Sequence, residues 1–196
     1  MVEARVSLIQ RVREKESDAW TEFFDVYRPL LLAYVRKRGV SEHDAADVVQ
    51  DVFARLATAL ADFEFDAERG RFRTWLWRVT HNALTDWARR RATRDRAERG
   101  WIDEHQSAAD SGADADGEWN ALYRRRILEA AIERVRATSQ RVSWDCFEGR
   151  ILAGRSAAEI SAETGVSVNA VYVNASRLLA RVREECASFD EPLSTS

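Results

Sequence analysis

Ser156-Ala-Ala-Glu-Ile-Ser-Ala-Glu-Thr-Gly-Val-Ser-Val-Asn-Ala-Val-Tyr172 is the stretch that decides the fold. Ser156 and Glu159 have the spacing of a capping box, in which the serine oxygen accepts from the Glu159 amide and the carboxylate reaches back. A short helix through Ile160 to Glu163 follows, and Gly165 supplies the positive φ of a tight turn. Val166 is expected to tuck into the core. Ser167 caps a second helix carrying Val171, Ala175, Leu178, Leu179 and Val182 at spacings of three and four. Helix, glycine turn and capped helix make a helix-turn-helix, held together by Ile160, Val166 and Val171. Asn169, Tyr172, Val173, Ser176 and Arg177 then lie on or near the outward side of the second helix. A helical hairpin that never meets DNA would keep the same caps and apolar spacing, so the motif alone leaves both readings open.

Helical periodicity extends outward from this motif. Upstream, Ser17 is expected to cap a helix through Tyr27, and Pro29 to start another over Leu30–Arg38, ended by Gly39. Ser41 is expected to cap a third from Glu42 to about Leu60, with Ala45, Val49, Val52 and Leu56 buried. The loop Asp62–Arg71 leads to a long helix from about Thr74 to Arg96, with Trp75, Leu76, Val79, Ala83 and Trp87 on its apolar stripe. From Ser107 to Glu118 the chain is small, acidic and aperiodic, which reads as a flexible linker. The expectation is an all-α chain of two small helical domains: 1–98, an acidic linker 99–119, 120–187, and a tail 188–196.

Composition agrees. Eight glycines and two prolines in 196 residues are about 5%, against an ordinary usage nearer 12%. Strands joined by tight turns need more, so a β-sandwich or barrel is disfavoured. The two cysteines, Cys146 and Cys186, form no metal or redox motif and suit a reduced, cytoplasmic setting. No apolar run reaches the roughly 18–20 residues of a membrane-spanning helix. His43, His81 and His105 have no cysteines or paired carboxylates at ligand spacing, and no glycine-rich phosphate cradle is present. No catalytic residue, metal site or cofactor is therefore expected.

The net charge of −3 hides segregation. Ser41–Glu68 holds eight acids against Arg55, a net charge of −7, whereas Arg69–Arg99 holds ten arginines against three acids, a net charge of +7. Opposite blocks suggest two partner surfaces, one of them for a polyanion. The alternative is that the blocks neutralise one another within the fold. Asp44, Asp47 and Asp51 share one helical stripe with Gln50 beside them. Phe72-Arg-Thr-Trp-Leu-Trp-Arg-Val-Thr-His-Asn82 interleaves aromatics with Arg and amide groups, a combination suited to stacking on unpaired bases, reading base edges and neutralising phosphates. Trp75 and Trp87 read as structural, while Trp77, off the stripe, fits either role.

Asp44-Ala-Ala-Asp-Val-Val-Gln-Asp-Val-Phe53 and Phe72–Asn82 with the following Arg run resemble region 2 of a sigma-70 family factor. The helix-turn-helix resembles its region 4. With no room for further regions, the chain resembles the two-domain extracytoplasmic-function (ECF) class. That resemblance implies binding to core RNA polymerase, through the β′ clamp helices and the β flap, and to promoter DNA. It gives Asp44, Asp47, Gln50, Asp51 and Arg55 the role of docking on the clamp helices. It gives Arg73, Trp77, Arg78, His81, Asn82, Arg89 and Arg90 the melting and reading of the −10 element, with Asn82 where family members contact a flipped-out base. Asn169, Tyr172, Val173, Ser176, Arg177 and Arg181 would meet the −35 element, although Tyr172-Val173-Asn174 stands where many members carry a basic-small-basic run. An anti-sigma factor is a further partner the resemblance admits. Asp103, Glu104, Asp110, Asp114, Asp116 and Glu118 would either mimic phosphates in polymerase channels or form a solvated spacer. Competing readings are a DNA-binding regulator that recruits no polymerase, a non-DNA adaptor and a helical enzyme.

Overall fold

The computed structural model describes residues 7–60, 72–99 and 112–189, all of it helix, turn or short connection. The loop Asp62–Arg71, the acids Asp103, Glu104 and Asp110, and the tail after Phe189 lie outside the described residues. So do the side chains of Asp114 and Asp116. Two compact units divide the chain, one of Leu8–Arg126 and the other built mainly from Ile127 onward.

In the N-terminal unit, α1 (Leu8–Arg13), α2 (Ala19–Lys37), α3 (Glu42–Ala59) and α4 (Phe72–Arg99) pack in sequence order. Their apolar stripes meet around an aromatic centre. Phe23 and Tyr27 of α2 contact Phe72 of α4 at ring separations of 6.0 and 5.5 Å, edge to face, the arrangement that ring quadrupoles favour. Gly39, at φ +80°, ends the α2 connection, and Ser41 caps α3 by accepting from the Asp44 amide, as the sequence indicates.

Two expectations for α2 fail. The helix begins at Ala19, and Asp18 in the cap position makes no side-chain bond to it. The Ser17 hydroxyl donates to the Asp18 carboxylate instead (3.1 Å). The helix also runs through Pro29 without a break. A proline inside a helix leaves the carbonyl four residues earlier without its donor, here that of Asp25. Arg126 fills the gap, donating to the Asp25 carbonyl at 3.3 Å and to the Val26 carbonyl at 2.9 Å. A compensating guanidinium 101 residues away is invisible to a local reading.

Helix α5 (Gly112–Ala137) belongs to both units. Its early part, within the stretch read as linker and start of the second domain, carries the fully buried Trp119 and the buried Tyr123 into the N-terminal unit. Each such aromatic removes about 150–250 Å² from water, roughly 4–6 kcal/mol of burial free energy before chain entropy is subtracted.

In the C-terminal unit, Ile127, Ala131 and Val135 of α5 are buried along with α6 (Arg141–Phe147), a π-helical turn (Glu148–Leu152), α7 (Ala157–Thr164) and α8 (Val168–Phe189). Cys146, Ala157, Ile160 and Val171 form a buried cluster with Val166 packed against it, so the residues expected to hold the motif together do so. The capping box at Ser156 and Glu159 forms in both directions, and Gly165 adopts φ 73°. The Ala170 amide donates to Ser167 (3.2 Å), and the Ser161 hydroxyl bonds the Val166 carbonyl across the turn (2.6 Å).

Candidate nucleic-acid and partner interfaces

The acidic stripe of α3 faces the arginine run of α4, and the two pair. Asp44, fixed by the Ser41 hydroxyl (2.7 Å), accepts from Arg91 at 2.8 Å. The Ser41 hydrogen bond, followed by the Arg91 charge, holds the Asp44 carboxyl below its ordinary value. Asp51 takes Arg55 at 2.9 Å and Arg90 at 3.5 Å, Arg55 reaches across to Asp86 at 3.0 Å, and Asp86 meets Arg89 at 3.6 Å. The Asp51 hydrogen bond is the main influence raising Arg55. Part of the charge segregation is therefore resolved inside the unit, because helical packing turns one stripe onto the other.

The rest stays outward. Asp47 and Gln50 are exposed on α3. His43, Asp44, Asp47 and Val48 of α3 with Trp87, Arg89, Arg90, Thr93 and Arg94 of α4 border an open groove of about 800 Å³. Along α4, Arg78, Asn82, Arg89 and Arg90 are exposed, while Arg73, Trp77 and His81 are half-buried. Positions 78, 82 and 89 differ by four and seven residues and so share a face. Trp77, which fitted two roles in the sequence, donates its indole N–H to the Tyr34 hydroxyl (3.0 Å) and stacks on His81 at 5.2 Å and 24°. Of the tryptophans read as structural, Trp75 and Trp87 are half-buried rather than core; Leu76, Thr80 and Ala83 make the buried line.

In the C-terminal unit Asn169, Tyr172, Val173, Ser176 and Arg177 are all exposed on α8. Arg181 is half-buried and donates to the hydroxyls of Ser139 (3.1 Å) and Thr138 (2.7 Å). The π-helical turn adds a residue that sequence reasoning missed, Arg150, whose guanidinium sits 5.6 Å from the Tyr172 ring centre. Its one sequence signal is Gly149. A Cβ there would lie 2.9 Å from Ile160 Cδ1, so any other residue requires the Ile160 side chain to shift where the turn closes onto α7. Among the described residues no cluster of His, Cys, Asp and Glu could hold a metal, and no helix is long and apolar enough to cross a membrane.

Residues 23–94, from α2 into α4, match the family model for sigma-70 region 2. The described part of that stretch lies in the helical bundle with its paired and exposed charges. An 83-residue stretch is 25% identical to the ECF RNA polymerase sigma factor SigW of Bacillus subtilis (strain 168), covering 42% of this chain and 43% of that protein. An 88-residue stretch is 33% identical to the RNA polymerase sigma factor NccH of Alcaligenes xylosoxydans xylosoxydans, covering 45% and 46%. The matches thus span less than half the length of each relative. One stretch of the chain thus matches sigma-70 region 2, and parts of the chain are similar to two RNA polymerase sigma factors, one of them of the extracytoplasmic-function class, in line with the resemblance carried by the sequence.

Proposed function

We propose that the chain is a sigma factor, which binds core RNA polymerase and directs promoter-specific initiation of transcription. The observation that carries this is the region 2 match over the bundle that exposes Asp47 and Gln50 on α3 and Arg78 and Asn82 on α4. In this reading the α3 stripe, Asp44, Asp47, Gln50, Asp51 and Arg55, docks on the β′ clamp helices. Asp47 and Gln50 meet them first, because they are the outward members of the stripe. Asp44 and Asp51 reach the partner by exchanging one set of cations for another.

Helix α4 then opens and reads the −10 element. Extruding a base costs a few kcal/mol of unstacking, offset by contacts from Asn82 to its edge, stacking beside Trp77 and His81, and phosphate neutralisation by Arg78, Arg89 and Arg90. The second helix of the helix-turn-helix enters the major groove of the −35 element, with the β flap as the polymerase contact of that module. The chain itself forms and breaks no covalent bond; the polymerase does. In this scheme residues 1–98 serve the −10 element, 99–119 connect, and 120–187 serve the −35 element, with Trp119–Arg126 also contributing packing to the first module. An affinity pull-down of core polymerase tests the reading. The wild-type chain should retain core enzyme, and Asp47→Arg with Gln50→Ala should not. No retention by the wild type contradicts it and favours a DNA-binding regulator that recruits no polymerase.

A further inference from the structure

We infer that Trp119 is a positioning residue for the reading helix α4, acting from outside that helix, so that Gly117–Arg126 works as part of the reading domain. This rests on the proposed −10 reading. Glu118, Trp119, Tyr123 and Arg126 recur at spacings that place them on one helical face, and each grips the N-terminal unit. The Glu118 carboxylate takes Lys37 at 2.7 Å and Arg38 at 2.5 Å. Tyr123 brings its hydroxyl to 3.5 Å from that of Tyr27. Arg126 satisfies the carbonyls beneath Pro29.

Trp119 does more than fill space. Its indole N–H donates to the Arg73 carbonyl (3.1 Å), in the first turn of α4. Its ring stands edge-on to Tyr34 at 5.1 Å and 84°. The Tyr34 hydroxyl in turn accepts from Trp77, and Trp77 stacks on His81, the neighbour of Asn82. One indole thus touches α4 directly at its start and through Tyr34 one turn later. A reading site keeps its geometry only when the residues behind it are locked by packing and hydrogen bonds. Here the lock comes from a segment that follows α4 in sequence.

The test separates the lock from the fold. Trp119→Ala opens a cavity and probes stability alone. Tyr34→Phe removes only the hydroxyl that accepts from Trp77, and Trp119→Phe keeps a ring while removing the donor to Arg73. Both should melt within a few degrees of wild type and pull down core polymerase normally. Each should lower discrimination between bases at the −10 position read by Asn82 by about three- to tenfold, the range of one lost neutral hydrogen bond. Each should also speed amide exchange at Thr74–Arg78. Wild-type discrimination and wild-type exchange in both phenylalanine variants overturn the inference. If the wild-type chain supports no initiation with core enzyme, the sigma reading fails, and the exchange measurement still decides whether Trp119 holds α4.

Discussion

The α3–α4 face and the α7–α8 helix-turn-helix both carry proposed site residues, but they hold them by opposite means. On α3 and α4 the charged groups are joined into a ladder, Arg90–Asp51–Arg55–Asp86–Arg89, with Asp44–Arg91 beside it. On α8 the outward side chains are few in charge, and the geometry is set by caps, a glycine turn and a small buried cluster. A face whose ions already satisfy one another is preorganised and loses those pairs when a partner arrives. In the proposed −35 reading, a face of Asn169, Tyr172, Val173 and Ser176 discriminates by shape, methyl contact and hydrogen bonds, with little Coulomb attraction to draw DNA in. The two regions therefore differ in what salt, charge reversal and backbone substitution do to them.

The largest effect should come from Asn82→Ala. Losing one well-placed base contact costs roughly 1–3 kcal/mol, about 5- to 150-fold in initiation on a fully paired promoter. Core binding should be unchanged, and a template already mismatched in its −10 segment should restore much of the loss. Open-complex assays on both templates check this; wild-type initiation on the paired one removes Asn82 from the reading.

Next comes Gly149→Ala, which forces a Cβ against Ile160 and should cost about 1–3 kcal/mol of stability in the C-terminal unit. Ile160→Val in the same chain should return part of it, because the clashing Cδ1 is removed. Thermal melting of the single and double variants measures the coupling.

Within the ladder, Asp51→Arg replaces the shared anion of Arg55 and Arg90 by a third cation. We expect about 1–2 kcal/mol of destabilisation, against less than about 0.5 kcal/mol for Asp47→Arg on the same helix. Equal melting temperatures for the two would mean that the ladder contributes nothing to the fold. Smaller still is the salt effect. Arg89→Ala and Arg177→Ala should each reduce the salt slope of promoter binding by about one unit, whereas Arg181→Ala should leave it nearly unchanged, since its guanidinium serves Ser139 and Thr138.

The smallest effect is a pH dependence. Lys37, then Arg38, hold the Glu118 carboxyl below its ordinary value of 4.5. Because the folded value is the lower one, the stabilisation is fully present above about pH 4.5 and fades as pH falls through the folded value. Glu118→Gln should flatten that part of the stability profile, read as melting temperature against pH.

What was legible in the sequence was local. Ser41, Ser156 with Glu159, Gly165 and Ser167 each announce an element end through atoms within four residues, and each does what its spacing indicates. The outward face of α8, with Asn169, Tyr172, Val173, Ser176 and Arg177 exposed, was likewise legible. The rest depends on partners far along the chain. Pro29 stays helical because Arg126 supplies the missing donor. Asp44 and Asp51 are half-buried because α4 turns its arginines onto them, and periodicity reports which residues share a stripe but not which stripe meets which. Trp119 sits beside a polar, acidic run, so composition assigns it to a connection while its burial assigns it to the N-terminal unit. Arg150 comes to the Tyr172 ring from a π-helical turn, for which the sequence offers only Gly149.

The central claim is that this chain supplies promoter specificity to a polymerase that lacks it. The most direct measurement is transcription in vitro by purified core RNA polymerase on a library of duplex templates with randomised −10 and −35 segments, with and without the chain. The account predicts transcripts that depend on the chain, start at a fixed distance from an enriched pair of elements, and lose −10 discrimination in Asn82→Ala. Transcript levels equal to those of core enzyme alone, with no enriched elements, would contradict it.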